Sequence, residues 1–217
     1  MLERRRKGGD EQRQEAQREH FYSAWNKEKG GWGFTHAQRE ALSHEGKTFY
    51  WLTGQELGTL IKKHAAANNV FELDERSPAW RTRSLRAEVA FDPDGGILKG
   101  SAGKTLEEQL IQIQTLSHRK AQQIPGTRAI IGELADHLEL GALLSREGKS
   151  PFTGEYYSES MISNFPFPYY IRTGTVVGSL DMGLIGGNGP FTLSSWSYLR
   201  GEKFIVTHPL IVNAAAV

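Results

Sequence analysis

The last third of the chain alternates strand-like stretches with glycine turns at a regular interval. Aromatic and β-branched residues dominate these stretches, and such residues fit a pleated sheet. The turns contain Gly178, the run 186–189 and Gly201. A repeat of about 10 to 12 residues with short turns is typical of antiparallel neighbours. The pattern predicts a C-terminal four-stranded antiparallel sheet, with strands over residues 169–177, 179–185, 191–199 and 204–212.

Charge distinguishes this region from the rest of the chain. Residues 1–150 hold 23 basic and 21 acidic side chains, whereas residues 151–217 hold three and four. Aromatic side chains are frequent where charges are rare, which is the composition of the centre of a protein interface. The alternative is a sandwich-like core that buries both faces of the sheet. On the first interpretation, the interface aromatics are Tyr169, Tyr170, Trp196 and Tyr198.

Two long helices are predicted in the middle of the chain. The first runs from Thr105 to Gln123 and repeats apolar residues at helical spacing: Leu106, Leu110, Ile113 and Leu116. The second is predicted from Thr127 to Glu147, with a broad apolar face at positions 130, 131, 134, 138, 142 and 144. Gly148 then provides a C-terminal stop.

The N-terminal half mixes short helices with short strands. Thr35 with Gln38, and Thr53 with Glu56, each have the spacing of a capping box that opens a helix. Residues 48–52 predict a strand, and residues 85–91 alternate as a half-buried strand does. The chain is therefore predicted to be an α+β protein, with a charged helical N-terminal region, two long central helices and the C-terminal sheet. The predicted parts are an arm over 1–30 and a single domain over 31–217, helix-rich over 31–148 and β-rich over 149–217.

Basic residues of the N-terminal region suggest contact with phosphates. A cluster of four precedes a pair of glycines, and three more arginines follow or flank Trp80. Arginine and lysine neutralise nucleic-acid phosphates, although Glu3, Asp10 and Glu11 offset much of the arm's charge. The candidate nucleic-acid-binding residues are Arg4, Arg5, Arg6, Lys7, Arg81, Arg83 and Arg86.

The segment Gly103-Lys104-Thr105 resembles the end of a phosphate-binding loop. That motif needs a glycine five residues before Gly103, where this chain has Leu98. Thr105 with Glu108 also has the spacing of a capping box, which gives the threonine a structural role. The site predicted here is a looser anion site at a helix N-terminus, formed by Lys99, Gly103, Lys104 and Thr105.

Other classes of chemistry lack their residues. The chain has no cysteine, which excludes thiol nucleophiles and the usual structural zinc sites. Its seven histidines form no helical ligand pair, and no nucleophile-elbow sequence is present. No stretch approaches the roughly 20 apolar residues that cross a bilayer. We therefore predict no catalytic residue, metal or cofactor, no signal peptide or membrane segment, and a soluble protein in the cytoplasm or in an intracellular particle.

Three functional hypotheses remain open. The leading one is a non-catalytic structural or interaction subunit of a larger, virus- or phage-particle-like assembly, with other protein subunits as partners in a homo- or hetero-oligomer. The first alternative is a nucleic-acid-associated protein that uses the arm and the 80–86 loop. The second is a phosphate- or nucleotide-handling enzyme centred on Lys104.

Overall fold

The computed structural model describes residues 2–65, 78–92, 97–148, 170–176, 181–186, 192–197 and 205–217. Side chains are described for the same residues except 2–15, 170, 176, 181–186, 192 and 194–197. Helices and strands are both present in quantity and follow no strict alternation, so the predicted α+β class is confirmed. The helices are α1 (Leu2–Lys29), α2 (His36–His44), α3 (Leu57–His64), α4 (Leu106–Gln123) and α5 (Leu134–Arg146), with short 3-10 turns η1 (Pro78–Arg81) and η2 (Ala214–Ala216).

The first sheet joins the C-terminal strand to three strands from the first 131 residues. It contains β1 (Thr48–Thr53), β2 (Arg86–Phe91), β3 (Thr127–Ile131) and β8 (Pro209–Asn213), in the order β1-β2-β8-β3. All of its pairs are antiparallel. The C-terminal strand β8 therefore lies in the interior of the sheet, and β3 lies at its edge.

The second sheet contains the predicted meander. Its strands are β4 (Tyr170–Val176), β5 (Asp181–Gly186), β6 (Thr192–Ser197) and β7 (Ile205–Val206), in the order β6-β5-β4-β7. The antiparallel run of β4, β5 and β6 is as predicted. The fourth predicted strand is instead two strands, because β7 pairs parallel with β4 while β8 joins the first sheet. Buried Thr207 and His208 connect them across the two sheets.

Helix α5 lies at the centre of the fold. Leu140 and Leu144 pack on β1, β2 and β8 of the first sheet. Leu134 and Leu138 pack on α3 and on strands of the second sheet. A third cluster covers the opposite face of the first sheet, where α2 and α4 contribute Leu42 and Leu116. The molecule is thus layered, with helices outside the first sheet and α5 between the two sheets.

Three local predictions need correction. The second long helix begins at Leu134 and not at Thr127, because the β-branched residues before Gly132 form strand β3. Thr53 does not cap a helix: it ends β1, its hydroxyl donates to Glu139, and α3 begins after Glu56 without a side-chain cap. Strand β2 is buried on both faces from Ala87 onward, since α2 covers the face that was predicted to meet solvent.

Candidate functional site

The strongest concentration of buried ionisable groups lies on α5. Asp136 accepts hydrogen bonds from the backbone N–H of Glu133 (2.7 Å) and of Leu85 (2.6 Å). The first bond belongs to a capping box that opens the helix, and the second ties the helix to the start of β2. Burial raises the pKa of Asp136 to about 7, and the two backbone donors oppose that rise.

One helical turn further along α5, Glu139 bonds both to the end of β1 with the loop after it and to the loop before β2. One carboxylate oxygen accepts from the Thr53 N–H (3.0 Å), the Thr53 hydroxyl and the Gln55 amide (2.9 Å). The other oxygen accepts from the Ser84 hydroxyl. The side chain is 2% exposed, so its charge is compensated by hydrogen bonds and not by water.

Two histidines are buried next to Asp136 and Glu139. His137 on α5 and His208 between β7 and β8 have ring centroids 6.1 Å apart, and the His208 ring is 4.7 Å from that of Phe91. None of their four ring nitrogens has a hydrogen-bond partner among the described residues. Burial lowers the pKa of each histidine to about 3, with a smaller contribution from His208 to His137 and from Lys47 to His208. Both rings are therefore neutral at physiological pH.

The chemistry open to this cluster is limited by its packing. Both carboxylates already accept donors from the backbone and from hydroxyl or amide side chains, which leaves them occupied as structural acceptors. Within the described part of the chain, no group of three His, Asp or Glu side chains could hold a metal ion. A perturbed pKa often marks a functional site, but hydrogen-bonded structural networks perturb pKa values too. The geometry of Asp136 and Glu139 favours the structural interpretation.

The Gly103-Lys104-Thr105 segment forms a helix cap. The Thr105 hydroxyl accepts from the Glu108 N–H (3.3 Å), and the Glu108 carboxylate accepts from the Thr105 N–H (2.9 Å), so the predicted capping box is confirmed. Lys104 Nζ lies 2.9 Å from a Glu108 oxygen, and these two partners lower the pKa of Glu108. Lys99 is exposed nearby in sequence. Anion binding at these residues stays a prediction, with Glu108 as a competitor for the lysine.

Two of the three candidate arginines of the 80–86 loop converge on one glycine. Arg83 donates to the Gly54 carbonyl (3.3 Å) and pairs with Glu56 (3.3 Å). A Cβ atom placed on Gly54 would lie 3.8 Å from the Cβ of Arg86 and 4.0 Å from its Nε. Arg81 ends the turn η1 and is exposed. The side chains of Arg81 and Arg86 make no hydrogen bond or ion pair with any residue that the structure describes.

The remaining predicted sites lie partly or wholly outside the described atoms. The backbone of Arg4, Arg5, Arg6 and Lys7 belongs to α1, but their side chains are not among those described. Tyr170 begins β4 and Trp196 lies in β6, again by backbone alone. Tyr169 and Tyr198 lie outside the described residues. The interface prediction for these aromatics therefore stays a prediction.

An apolar groove runs between α4 and β3, which we call the α4–β3 groove. It has a volume of about 550 Å³, within the range of small-ligand and peptide sites. Leu110 in the lining is 41% exposed, although the sequence predicted it to be buried, and its neighbour in the chain, Ile111, is 56% exposed. The lining residues are Leu106, Leu110, Ile113, Gln114, Ser117, His118, Ala121, Arg128, Ala129, Ile130, Ile131 and Gly174.

Sequence reasoning missed the buried polar residues and the groove. Asp136 and Glu139 carried a signal, because they stand among apolar residues of a helix that is buried nearly all round. Glu88 carried none: it looked like a solvent-facing strand residue, but it is buried and pairs with Arg39, whose guanidinium lies 4.2 Å from the centre of the Phe49 ring. The groove is formed partly by β3, and the sequence predicted a helix over the residues of that strand.

No family model, curated protein or solved structure matches the chain. In the described ranges, no helix is both long enough and apolar enough to span a membrane.

Proposed function

We propose that the chain is a non-catalytic interaction subunit of a larger protein assembly. The observation that carries this proposal is the pair Leu110 and Ile111, two adjacent large apolar side chains that α4 exposes, the first of which lines the α4–β3 groove. Isolated exposed apolar residues are common on protein surfaces, whereas contiguous exposed apolar surface marks contact sites. A particle-like assembly is one setting for such a subunit.

The buried acids of α5 support the same proposal, because their hydrogen bonds weigh against a catalytic role. The carboxylates of Asp136 and Glu139, which are the best candidates for acid–base chemistry, are engaged by backbone and side-chain donors. Helix α1 adds a second contact element: its sequence offers few apolar residues before Phe21, and Phe21 itself is 62% exposed. A helix without an apolar stripe is suited to bridging to a partner or to solvent.

The test is the mass of the native particle with and without the apolar pair. Sedimentation velocity of the protein purified from its source should give a complex larger than the 24.3 kDa chain. The double variant Leu110→Glu/Ile111→Glu should reduce that mass while the circular dichroism spectrum stays unchanged. The matched control is Gln122→Glu, an exposed change on the same helix that lies outside the groove lining. A monomeric native protein, or a double variant of unchanged particle mass, contradicts the proposal.

A second candidate function is nucleic-acid binding, and the exposed Arg81 and Arg86 favour it because neither has an ion-pair partner among the described residues, whereas Arg83 would have to leave Glu56. The measurement is fluorescence anisotropy with a labelled oligonucleotide over a range of salt concentrations. Because each phosphate contact releases counterions, Arg83→Gln/Arg86→Gln should lower the slope of log K against log salt by about 0.7 to 0.9 for each phosphate that is no longer neutralised. Arg119→Gln on α4 is the control. Absence of binding at low salt, or an unchanged slope in the double variant, excludes this candidate.

A further inference from the structure

The lining of the α4–β3 groove follows one stripe along α4. Its α4 residues recur at helical spacing from Leu106 to Ala121, and β3 with Gly174 of β4 forms the other wall. A helix rises 1.5 Å per residue, so this stripe is about 22 Å long. A volume of about 550 Å³ over that length corresponds to a channel about 5 Å across. The groove is therefore long and narrow.

The β3 wall is closed to an incoming peptide strand. Ala129 is 2% exposed, and its N–H already donates to the Ser117 hydroxyl (3.2 Å). The wall also lies close to β4, because a Cβ atom on Gly174 would be 3.6 Å from the Ile131 carbonyl oxygen and 2.9 Å from a Glu133 carboxylate oxygen. A peptide backbone in this groove would lose its hydrogen bonds to water without replacement, which costs free energy for each group. A hydrocarbon chain carries no such groups.

Apolar side chains line the part of the groove toward the N-terminus of α4. Leu106, Leu110 and Ile113 come from the helix, and Ile131 comes from β3. Leu110 is 41% exposed, so a ligand that covers it removes apolar surface from water. Each methylene group that a ligand buries here should raise its affinity about threefold to fourfold. This part of the groove therefore suits an alkyl chain.

The ionisable residues of the lining belong to the other end of the groove. Ser117 is bonded to Ala129, so the adjacent residues His118 and Arg128 lie near this bond. Arg128 is exposed and has no ion-pair partner among the described residues, and no carboxylate is among the lining residues that the structure describes. The carboxylate of Glu133 is at the opposite end, next to β4. This polarity orients an anionic amphiphile with its head at Arg128.

We propose that the α4–β3 groove binds a free long-chain fatty acid, with its carboxylate at Arg128 and its chain along α4 toward Leu106. The helix advances about 18 Å between His118 and Leu106. An extended alkyl chain advances about 1.25 Å per carbon, so about 14 carbons span this distance. The inference goes beyond the proposed assembly role, because it gives the groove a ligand and leaves the neighbouring Ile111 to a protein partner.

The head group is tested by isothermal titration calorimetry with tetradecanoate and tetradecylammonium, each below its micelle concentration. The wild type should bind tetradecanoate about tenfold more tightly, because Arg128 attracts one head group and repels the other. Arg128→Glu should abolish this preference. The matched control is Arg119→Glu, an exposed change on α4 outside the lining, which should preserve it. Equal affinities for the two amphiphiles in the wild type, or no binding of tetradecanoate, overturns the inference.

The length of the groove is tested by a series of saturated fatty acids in the same assay. Affinity should rise about threefold to fourfold per methylene group from decanoate to tetradecanoate. It should change less than about twofold from tetradecanoate to octadecanoate, because the added carbons extend beyond the groove. A rise that continues unchanged to octadecanoate, or no rise at all, contradicts a site of this length.

A matched pair of variants distinguishes the groove from the surface beside it. Leu110→Glu places a carboxylate in the lining, whereas Ile111→Glu places one at the adjacent residue outside the lining. We expect the first variant to weaken tetradecanoate binding about tenfold or more, and the second to change it less than about twofold. Equal effects in two folded variants contradict a site in the groove.

The two proposals fail in distinguishable ways. A chain that loses its native particle mass in Leu110→Glu/Ile111→Glu, but does not bind tetradecanoate, retains the assembly role and loses this inference. A monomeric native chain that binds tetradecanoate in a Leu110-dependent manner retains the fatty-acid site and loses the assembly role.

Discussion

Helices α4 and α5 differ in which of their side chains are buried. Ten of the 13 residues of α5 are buried, including Asp136, His137 and Glu139, whereas α4 buries only Gln109 and Ile113 among its 18 residues. Polar groups are thus buried in α5, and large apolar groups are exposed on α4. The position of each helix in the layers explains the difference, because α5 has a sheet on two sides and α4 packs on only one face of the first sheet.

On the proposed function, this contrast separates structural residues from contact residues. The buried acids of α5 organise neighbouring loops through hydrogen bonds, so their unusual environment is explained within the chain. The exposed Leu110 and Ile111 of α4 have no comparable explanation within the described residues. On the proposed function, burial alone would point to α5 as the functional helix, whereas exposure of apolar side chains points to α4.

The largest expected effect comes from removal of the Glu139 carboxylate. Glu139→Ala leaves the donors of Thr53, Gln55 and Ser84 without their acceptor, and should cost about 4 kcal/mol in the free energy of unfolding. Urea denaturation followed by circular dichroism measures this. Glu107→Ala, an exposed acid on α4, is the control and should change stability by less than about 0.5 kcal/mol. A loss below about 1 kcal/mol in Glu139→Ala would falsify the structural role of this residue.

The second prediction concerns pH and the two buried histidines. Their folded pKa values near 3 lie below the ordinary 6.5, so unfolding takes up a proton at each histidine between these values, and stability falls as pH falls. Asp136 acts oppositely, because its folded pKa of about 7 exceeds the ordinary 3.8 and unfolding releases its proton in that window. The three groups together should make the wild type about 1.4 kcal/mol less stable at pH 5 than at pH 6.

The variant His137→Leu/His208→Leu sharpens that prediction. Only the Asp136 contribution remains among the three groups, so the slope relative to wild type should shift by about 2.7 kcal/mol per pH unit toward greater stability in acid. Urea denaturation at pH 5 and pH 6 gives both slopes. Identical slopes for the two proteins would show that the histidines titrate normally in the folded state and are accessible to water.

A smaller effect is expected at the N-terminus of α4. Thr105→Ala removes the cap that holds the Glu108 N–H and should cost about 1 kcal/mol, while Thr105→Ser keeps the cap and should cost much less. Thermal denaturation with and without phosphate tests the alternative in the same samples. Stabilisation by phosphate that is lost in Lys104→Ala would support the predicted anion site and move function toward this end of α4.

Sequence patterns predicted elements whose signals are local. The Thr35 and Thr105 capping boxes and the start of α4 depend on residues within one helical turn, and the β4-β5-β6 meander depends on strands that follow one another along the chain. The failures depend on distant partners. Thr53 resembles a cap until Glu139 accepts its hydroxyl, and residues 127–131 resemble a helix until β8 pairs with them. These contacts cannot be predicted from local sequence, because they depend on how the helices and sheets pack against each other.

The candidate site was less predictable than the fold for the same reason. Arg83 and Arg86 were singled out from sequence, but their convergence on Gly54 follows from the pairing of Thr53 with Arg86 in the sheet. The exposure of Leu110 contradicts its place in an apolar stripe, because the first sheet ends at β3 and leaves part of α4 uncovered. A stripe pattern predicts which residues share a face, but it does not determine how far the neighbouring element extends.

The most direct test of the contrast between the two helices is the unfolding free energy of Leu110→Glu/Ile111→Glu. If these side chains serve a partner and not the fold, urea denaturation should place the variant within about 0.5 kcal/mol of the wild type. A loss of more than about 2 kcal/mol would show that Leu110 and Ile111 pack within the chain, and it would contradict their assignment to a contact surface.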